Sequence, residues 1–162
     1  MEWLQPGPST FRPVRPVPSD AVAALLVLDD GRYVMQLRDD IPGIFFPGHW
    51  GCFGGAIEGG ETPELTLKRE LREELEFDVG IARRFTRFDF DFAPHGYASV
   101  ARIYFEVLVS RAAFDGFVLH EGVEFRAIAG QELLSALKVT PYDAFAVWMH
   151  MTRQSGLPAV AI

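Results

Sequence analysis

The sequence predicts a single α/β domain in which helices cover a mixed central sheet, a layered α/β sandwich. Three observations predict this class. The chain has 162 residues, of which 49% are hydrophobic, enough for one sizeable core. Strand-like segments occur in two groups of three; one predicted helix follows the first group and two follow the second. Strands and helices in this order pack as layers, because each sheet face must be covered.

The first half of the chain predicts a hairpin, a third strand and a helix. Asp29-Asp30-Gly31 separates two strand-like runs and predicts a tight turn between them. Thr62 predicts a helix N-cap, since its side chain can accept a backbone hydrogen bond, and Pro63 suits the first helical position. The predicted elements are strands over residues 21–28, 32–38 and 50–57, a loop over 39–49, and a helix from Pro63 to Leu75 or Glu76.

The second half predicts three strands and two helices. Phe88, Phe90 and Phe92 alternate with charged residues, which is typical of a half-buried strand. A break at Glu121-Gly122 interrupts the last strand-like segment. The predicted elements are a strand over 84–92, a loop over 93–98, strands over 99–110 and 117–128, and helices over 131–137 and 141–152.

Residues 1–19 predict an extended arm that precedes a single domain over residues 20–162. The arm holds five of the 11 prolines, and proline removes backbone donors and restricts φ. It also holds Trp3, Leu4 and Phe11, which could anchor it to its own domain or to a partner subunit. We therefore predict a homodimer in which the arm contacts the second copy, with a free arm as the alternative.

The charge balance and the single cysteine exclude several classes of protein. Fifteen basic against 22 acidic residues give a net charge of −7, which argues against nucleic acid or an anionic membrane as a partner. The apolar run over 21–28 is too short to span a bilayer, which takes about 20 residues. Cys52 has no disulfide partner in the chain, and the N-terminus has no secretory pattern, so we expect a cytoplasmic protein.

The predicted helix after Thr62 combines an apolar stripe with an acidic one. At about 100° per residue, Leu67, Leu71 and Leu75 share one face, and Glu70, Glu73 and Glu74 lie beside it. Neighbouring like charges repel. The nearby cations, Lys68, Arg69 and Arg72, lie towards the other side of the helix. A hard divalent cation such as Mg²⁺ would compensate the three carboxylates; a solvated acidic face is the alternative.

The segment around this helix resembles the Nudix box of the Nudix hydrolase superfamily (MutT-like), G-x5-E-x7-R-E-U-x-E-E-x-G-U, in which U is aliphatic or aromatic. Leu71 and Phe77 match the box in residue type, and Glu76 stands where the box has glycine, which leaves the helix terminus open. The matching identities are Gly55, Glu61, Arg69, Glu70, Glu73 and Glu74. The resemblance implies a Nudix-like α/β/α sandwich that hydrolyses a pyrophosphate bond in a nucleoside diphosphate-linked substrate, with Mg²⁺ or Mn²⁺ as cofactor.

The resemblance also implies roles for individual residues near the metal. Arg69 would tie the helix to the preceding loop through Glu61, and Gly55 belongs to the same support. A further carboxylate from a later loop, for which Glu121 is the candidate and Glu124 the competitor, would be a metal ligand or the general base. The implied metal ligands are Glu70, Glu73, Glu74, Glu121 and the carbonyl of Gly54.

Three further residues are candidates for contact with the substrate. Arg38 ends the second predicted strand, where relatives place an arginine that contacts phosphate. Phe46 and Trp50 could stack on a base, although aromatic residues beside a loop are more often part of the core. Sugar nucleotides, nucleoside triphosphates and dinucleoside polyphosphates all stay open as substrates. A catalytically silent, nucleotide-sensing domain is the alternative function.

Overall fold

The computed structural model describes residues 17–154. Its elements are β1 (Ala21–Leu28), β2 (Tyr33–Leu37), β3 (Trp50–Gly51), α1 (Pro63–Leu75), β4 (Arg83–Phe90), a 3₁₀ turn (Ala93–His95), β5 (Val100–Val109), α2 (Arg111–Asp115), β6 (Glu124–Ile128), α3 (Gly130–Ser135) and α4 (Pro141–Gln154). The predicted arm lies mostly in residues 1–16, outside the described residues. Within 17–154, no helix is long and apolar enough to cross a membrane.

The six strands form one mixed sheet with β1 near its centre. β1 pairs antiparallel with β2 and parallel with β5, and β4 pairs antiparallel with β5 at one edge. Both β3 and β6 pair antiparallel with β2. The chain after β3 then runs beside β1, because isolated bridges join Phe53 to Ala24 and Ala56 to Ala21.

Helices cover the two faces of this sheet, so the predicted α/β sandwich with a mixed sheet is confirmed. Alternate residues of β1 point to opposite sides, as a strand requires. One face packs on α1 through Leu67, Leu71 and Leu75, all at most 1% exposed. The other face packs on α3 and α4 through Leu133, Ala146 and Val147.

The predicted bounds of α1 are confirmed. Thr62 caps its N-terminus by accepting a hydrogen bond from Leu65 N at 3.3 Å, and Pro63 begins the helix. At the C-terminus Glu76 adopts the left-handed conformation, with φ 55° and ψ 30°. It therefore takes the conformation that the glycine of the box would favour, and the helix ends where the sequence predicted.

Two other predictions need correction, and one short helix was missed. The strand predicted over 50–57 is regular only at Trp50–Gly51, and the rest of that run makes isolated bridges. The strand predicted over 117–128 begins at Glu124, because the chain at Val118 and His120 donates backbone hydrogen bonds to the end of α1 instead. The short helix α2, capped by Ser110, was not predicted; five residues give too little periodicity to detect.

Candidate active site

Helix α1 presents its three central carboxylates at different depths. The side chain of Glu73 is 60% exposed and that of Glu70 is 14% exposed. Glu74 is buried, with 3% of its surface exposed. The sequence placed all three together at the boundary between core and solvent. In the structure their depths differ, because Glu74 lies on the helix face of the buried leucines, whereas Glu73 projects away from that face.

Two glycines bring the loop after β3 against these carboxylates. Gly54 N–H donates to Glu74 Oε2 at 2.8 Å, and its φ of +127° suits only glycine, since a Cβ there would lie 2.4 Å from the carbonyl oxygen of Val22. A Cβ at Gly55 would lie 2.4 Å from Glu70 Oε1. Glycine at both positions therefore permits the close approach of the loop to α1.

Arg69 joins the loop to the helix. Its Nε donates to Glu61 Oε1 at 2.8 Å and its Nη2 to Glu61 Oε2 at 3.0 Å, while Nη2 also reaches the carbonyl of Ala56 at 3.2 Å. Its Nη1 donates to Glu70 at 2.8 Å and to Glu73 at 3.3 Å. The expectation that Arg69 lies towards the other side of the helix from the acidic stripe is wrong, because its long side chain reaches back across the surface of the helix.

The loop that carries Glu121 contacts the C-terminal end of α1. Before Glu121, His120 N–H donates to the carbonyl of Glu74 at 2.9 Å, and after it a Cβ at Gly122 would lie 2.8 Å from Gln36 Oε1. The charge of Glu121 raises the pKa of both Glu70 and Glu74. Glu124 lies on β6 and pairs with Arg126, at 2.7 Å from Oε1 to Nη2. The structure thus brings together Glu70, Glu73, Glu74, Glu121, Gly54 and Gly55 on one side of the molecule.

The electrostatics of Glu74 are unusual for a carboxylate. Burial raises its pKa to about 8, and the charges of Glu121 and Glu70 act in the same direction. Hydrogen bonds from Gly54 N and from Gln36 Nε2, at 3.3 Å, partly oppose this increase. Among residues 17–154, no Lys, Arg or His nitrogen lies within 4.0 Å of its oxygens. Glu74 therefore has no compensating cation in this part of the chain. The carboxylate oxygens of Glu74, Glu70 and Glu121 are donors of the kind that suits Mg²⁺ or Mn²⁺.

The carboxylates do not form a closed metal cage on their own. In the described part of the chain, no three His, Cys, Asp or Glu side chains stand together in the arrangement of a preformed ion site. Glu70 and Glu73 instead bond to Arg69. The carboxylates are thus gathered on one side, but two of them are turned towards an arginine.

An aromatic cleft of about 520 Å³ lies beside the loop before β3. Phe46 is half-buried there, and its ring makes edge contacts with His49 and Tyr142 at 5.7 and 5.5 Å. Arg38 Nε donates to the carbonyl of Phe45 at 2.9 Å, so this arginine holds the loop at the cleft. The cleft is lined by Pro18, Ile44, Phe45, Phe46, Phe92, His95 and Tyr97.

Trp50 is not among the residues that line the aromatic cleft. It is only 6% exposed and belongs to the core between the sheet and helices α3 and α4. The guanidinium of Arg126 lies 5.3 Å from the centre of its ring. In this position the indole has no free face on which a base could stack.

Two features near the site were missed by the sequence reasoning. Gln36 is buried on β2 and donates to Glu74, but nothing local distinguishes it from other strand residues. Asp143, 1% exposed, accepts from Tyr104 OH at 2.7 Å, from Cys52 N at 3.0 Å and from Arg102 Nη2 at 3.3 Å. Arg102 in the mostly apolar strand β5 was the available signal, since a charge there needs a partner.

The sequence profile of the NUDIX domain matches residues 17–152, so the chain belongs to the NUDIX domain family. The predicted resemblance to the Nudix hydrolases is thereby confirmed. The chain is 46% identical over 50 residues to the nucleoside triphosphatase NudI of Escherichia coli O139:H28. That match covers 31% of this chain and 35% of NudI, so the chain spans about a third of the length of this curated relative.

Solved structures share the fold at low sequence identity. The MutT protein of Methanosarcina mazei superposes with a TM-score of 0.68 and 18% identity, covering 87% of this chain and 96% of that one. The dihydroneopterin triphosphate pyrophosphohydrolase of E. coli superposes with a TM-score of 0.65 and 19% identity, covering 86% and 99%. These likenesses establish the fold alone.

Proposed function

We propose that this chain is a Nudix hydrolase that uses Mg²⁺ or Mn²⁺ to cleave a pyrophosphate bond in a nucleoside diphosphate-linked substrate. The observation that carries the proposal is Glu74, a buried carboxylate that accepts from Gly54 N–H at 2.8 Å and has no Lys, Arg or His partner among residues 17–154. Burial and the charges of Glu121 and Glu70 raise its pKa. A pyrophosphate group carries dense negative charge. Transfer at such a group depends mainly on positioning and on neutralisation of that charge.

The residues that would hold the metal are Glu70, Glu73, Glu74 and Glu121, with the carbonyl of Gly54. A bound divalent ion would neutralise the phosphate oxygens and lower the pKa of an attacking water. Arg69, held by Glu61, keeps Glu70 and Glu73 in place beside the loop that carries Gly55. Glu121 is exposed on a loop, so it can approach substrate as a further ligand or as the general base.

On the substrate side, we propose that Arg38 contacts a phosphate and that Phe46 stacks on the base. Phe46 lines the aromatic cleft and is half-buried, with edge contacts that hold its ring, and Arg38 bonds to the neighbouring Phe45. We do not assign base stacking to Trp50, because its indole is buried between the sheet and α3 and α4.

We propose nucleoside triphosphates as the first substrate class to test. The match to NudI, named as a nucleoside triphosphatase, supports this choice. A divalent ion held by the carboxylates of α1 would also bind the phosphate oxygens of a triphosphate. Sugar nucleotides have the same pyrophosphate bond and belong in the same screen. The two classes are distinguished by the products, which are pyrophosphate in one case and a sugar phosphate in the other.

Glu74→Gln should abolish most turnover while the fold is kept, because the amide preserves the shape and removes the charge. We expect a fall in kcat of at least about 10²-fold. Activity is measured by chromatography of nucleotide products with Mg²⁺ or Mn²⁺. Glu64→Gln is the matched control: it makes the same change on α1, at an exposed residue that pairs with Arg84, and should leave activity unchanged.

Unchanged activity in Glu74→Gln would contradict the proposal. A wild-type chain that binds nucleotides tightly but turns over none of the panel would instead support the alternative of a silent sensing domain.

We also propose a cytoplasmic location and a homodimer formed through the N-terminal arm. The single cysteine, Cys52, is buried and unpaired, which is consistent with a reducing compartment. The apolar residues Trp3, Leu4 and Phe11 of the arm support the dimer.

A further inference from the structure

The segment before Glu121 lies against the C-terminal end of α1. Val118 N–H donates to the carbonyl of Leu75 at 3.1 Å, and His120 N–H donates to the carbonyl of Glu74 at 2.9 Å. The last carbonyls of a helix have no partner within the helix. Two of them are thus satisfied by the very segment that leads into Glu121.

A side-chain contact reinforces this arrangement. His120 Nε2 lies 2.7 Å from Glu76 Oε1, and both side chains are about half exposed. Glu76 is the first residue after α1, and His120 immediately precedes Glu121. The contact therefore links the end of the helix that carries Glu70, Glu73 and Glu74 to the loop that carries the fourth carboxylate.

The backbone of Glu76 is in a conformation that favours glycine. Its N–H donates to the carbonyl of Arg72 at 3.0 Å, and Phe77 N–H donates to the carbonyl of Leu71 at 3.1 Å, which together form a helix-ending turn with a left-handed residue. A side chain at such a position costs conformational energy that glycine avoids. The cap alone would be better served by glycine, and the contact with His120 is what glutamate adds.

The other side of Glu121 is anchored to the sheet. Gly122 has a φ of +85°, and a Cβ there would lie 2.8 Å from both Gln36 Oε1 and the carbonyl oxygen of Leu37. Val123 N–H donates to that same carbonyl at 2.8 Å. Glu121 is thus held between α1 on one side and β2 on the other.

We propose that Glu76 and His120 are positioning residues that hold the Glu121 carboxylate against the metal-binding face of α1. The inference rests on the proposed function, and neither residue is expected to touch substrate. At Glu76 the chain gives up stability in the helix cap and gains a fixed position for Glu121.

Glu76→Gly distinguishes the effect on stability from the effect on the position of Glu121, because stability should rise while metal affinity falls. We expect a higher Tm, since the strained position becomes glycine. We also expect Mn²⁺ binding to the full-length chain, measured by calorimetry, to weaken about 10-fold, the lower end of what loss of an outer-shell contact causes. With substrate saturating, kcat should fall by a similar factor while KM changes little. A residue that only capped the helix would raise Tm and leave Mn²⁺ affinity unchanged.

Two further variants test the contact itself. Glu76→Gln keeps the left-handed strain and an oxygen that can accept from His120, so its Mn²⁺ affinity should stay within about 3-fold of wild type. His120→Ala should weaken Mn²⁺ binding about as much as Glu76→Gly, without raising Tm. The double variant Glu76→Gly/His120→Ala should lose no more affinity than either single variant, because both remove one contact.

The outcomes distinguish this inference from the proposed function. If the wild-type chain binds Mn²⁺ but hydrolyses no nucleotide, the proposed function fails, and the affinities of the variants still decide the positioning role. If the wild-type chain is active and Glu76→Gly matches it in both kcat and Mn²⁺ affinity, the inference is overturned. A wild-type chain that neither binds Mn²⁺ nor turns over nucleotide would overturn both.

Discussion

Arg69 is the residue on which most contacts of the candidate site converge. One guanidinium bonds to Glu61, Glu70 and Glu73 and to the carbonyl of Ala56. Arginine suits this task because its donors form a rigid, planar fork that a lysine ammonium does not offer. The resemblance to the Nudix box implied the contact between Arg69 and Glu61. It did not predict that the same arginine also bonds to two of the proposed metal ligands.

The pair formed by Glu61 and Arg69 predicts a pH dependence of stability. Hydrogen bonds from Arg69 lower the pKa of Glu61 from an ordinary 4.5 to about 2. A carboxylate whose pKa is lower in the folded state stabilises the fold above its unfolded pKa, and this contribution is lost as the pH falls. Glu61→Gln should therefore be less stable than wild type at pH 7, and the difference should shrink between pH 4.5 and 2.

Urea unfolding of wild type and Glu61→Gln at pH 7, 5 and 3 measures this difference. Glu58→Gln is the control, since the exposed side chain of Glu58 lies in the same loop and is not among the partners of Arg69. A difference between Glu61→Gln and wild type that is as large at pH 3 as at pH 7 would contradict the assignment.

Among the helices and strands, α1 contributes both to the hydrophobic core and to the candidate site. Its leucine face lies in the core, and the glutamates on the adjacent face are buried to different extents. Local signals defined this helix well, because the cap at Thr62, Pro63 and the leucine spacing all act within a few residues. Strand limits were less predictable, since β3 and β6 depend on partners that are distant in sequence.

Leu71→Ala should destabilise the protein by about 2–5 kcal/mol, because it leaves a cavity where α1 meets the sheet. Leu71 is 0% exposed in that core. The matched control is Leu65→Ala on the same helix, where the leucine is 56% exposed and the change should stay within about 0.5 kcal/mol. Denaturant unfolding measures both, and similar losses in the two variants would show that this helix face does not anchor the core.

At the scale of the whole molecule, the acidic charge is concentrated near the site. Residues 58–78 contain eight acids and three bases, a local balance of −5 within the total of −7. The rest of the chain is therefore close to neutral, at −2. The charge that argues against a polyanionic partner is largely the charge that a divalent metal would compensate, so it does not argue against a small phosphate ester as substrate.

The proposed dimer is also a property of the whole molecule. Removing residues 1–16 should convert a dimer to a monomer, because the apolar contacts of the arm would be lost; light scattering measures the change. A full-length chain with Trp3, Leu4 and Phe11 all changed to alanine should behave in the same way, which separates these side chains from arm length. An oligomeric state that is the same with and without residues 1–16 would refute the role of the arm.

The amino-acid sequence alone is enough to predict the family, the mixed α/β class, the bounds of α1 and the carboxylates on that helix. These follow from short-range periodicity, helix capping and the spacing of a motif, all of which act within about two dozen residues. The folded molecule was needed to show that Glu74 is buried, that Trp50 belongs to the core and that His120 contacts Glu76. Burial and side-chain pairing depend on segments far apart in the chain, and their packing is decided only when the sheet and helices come together.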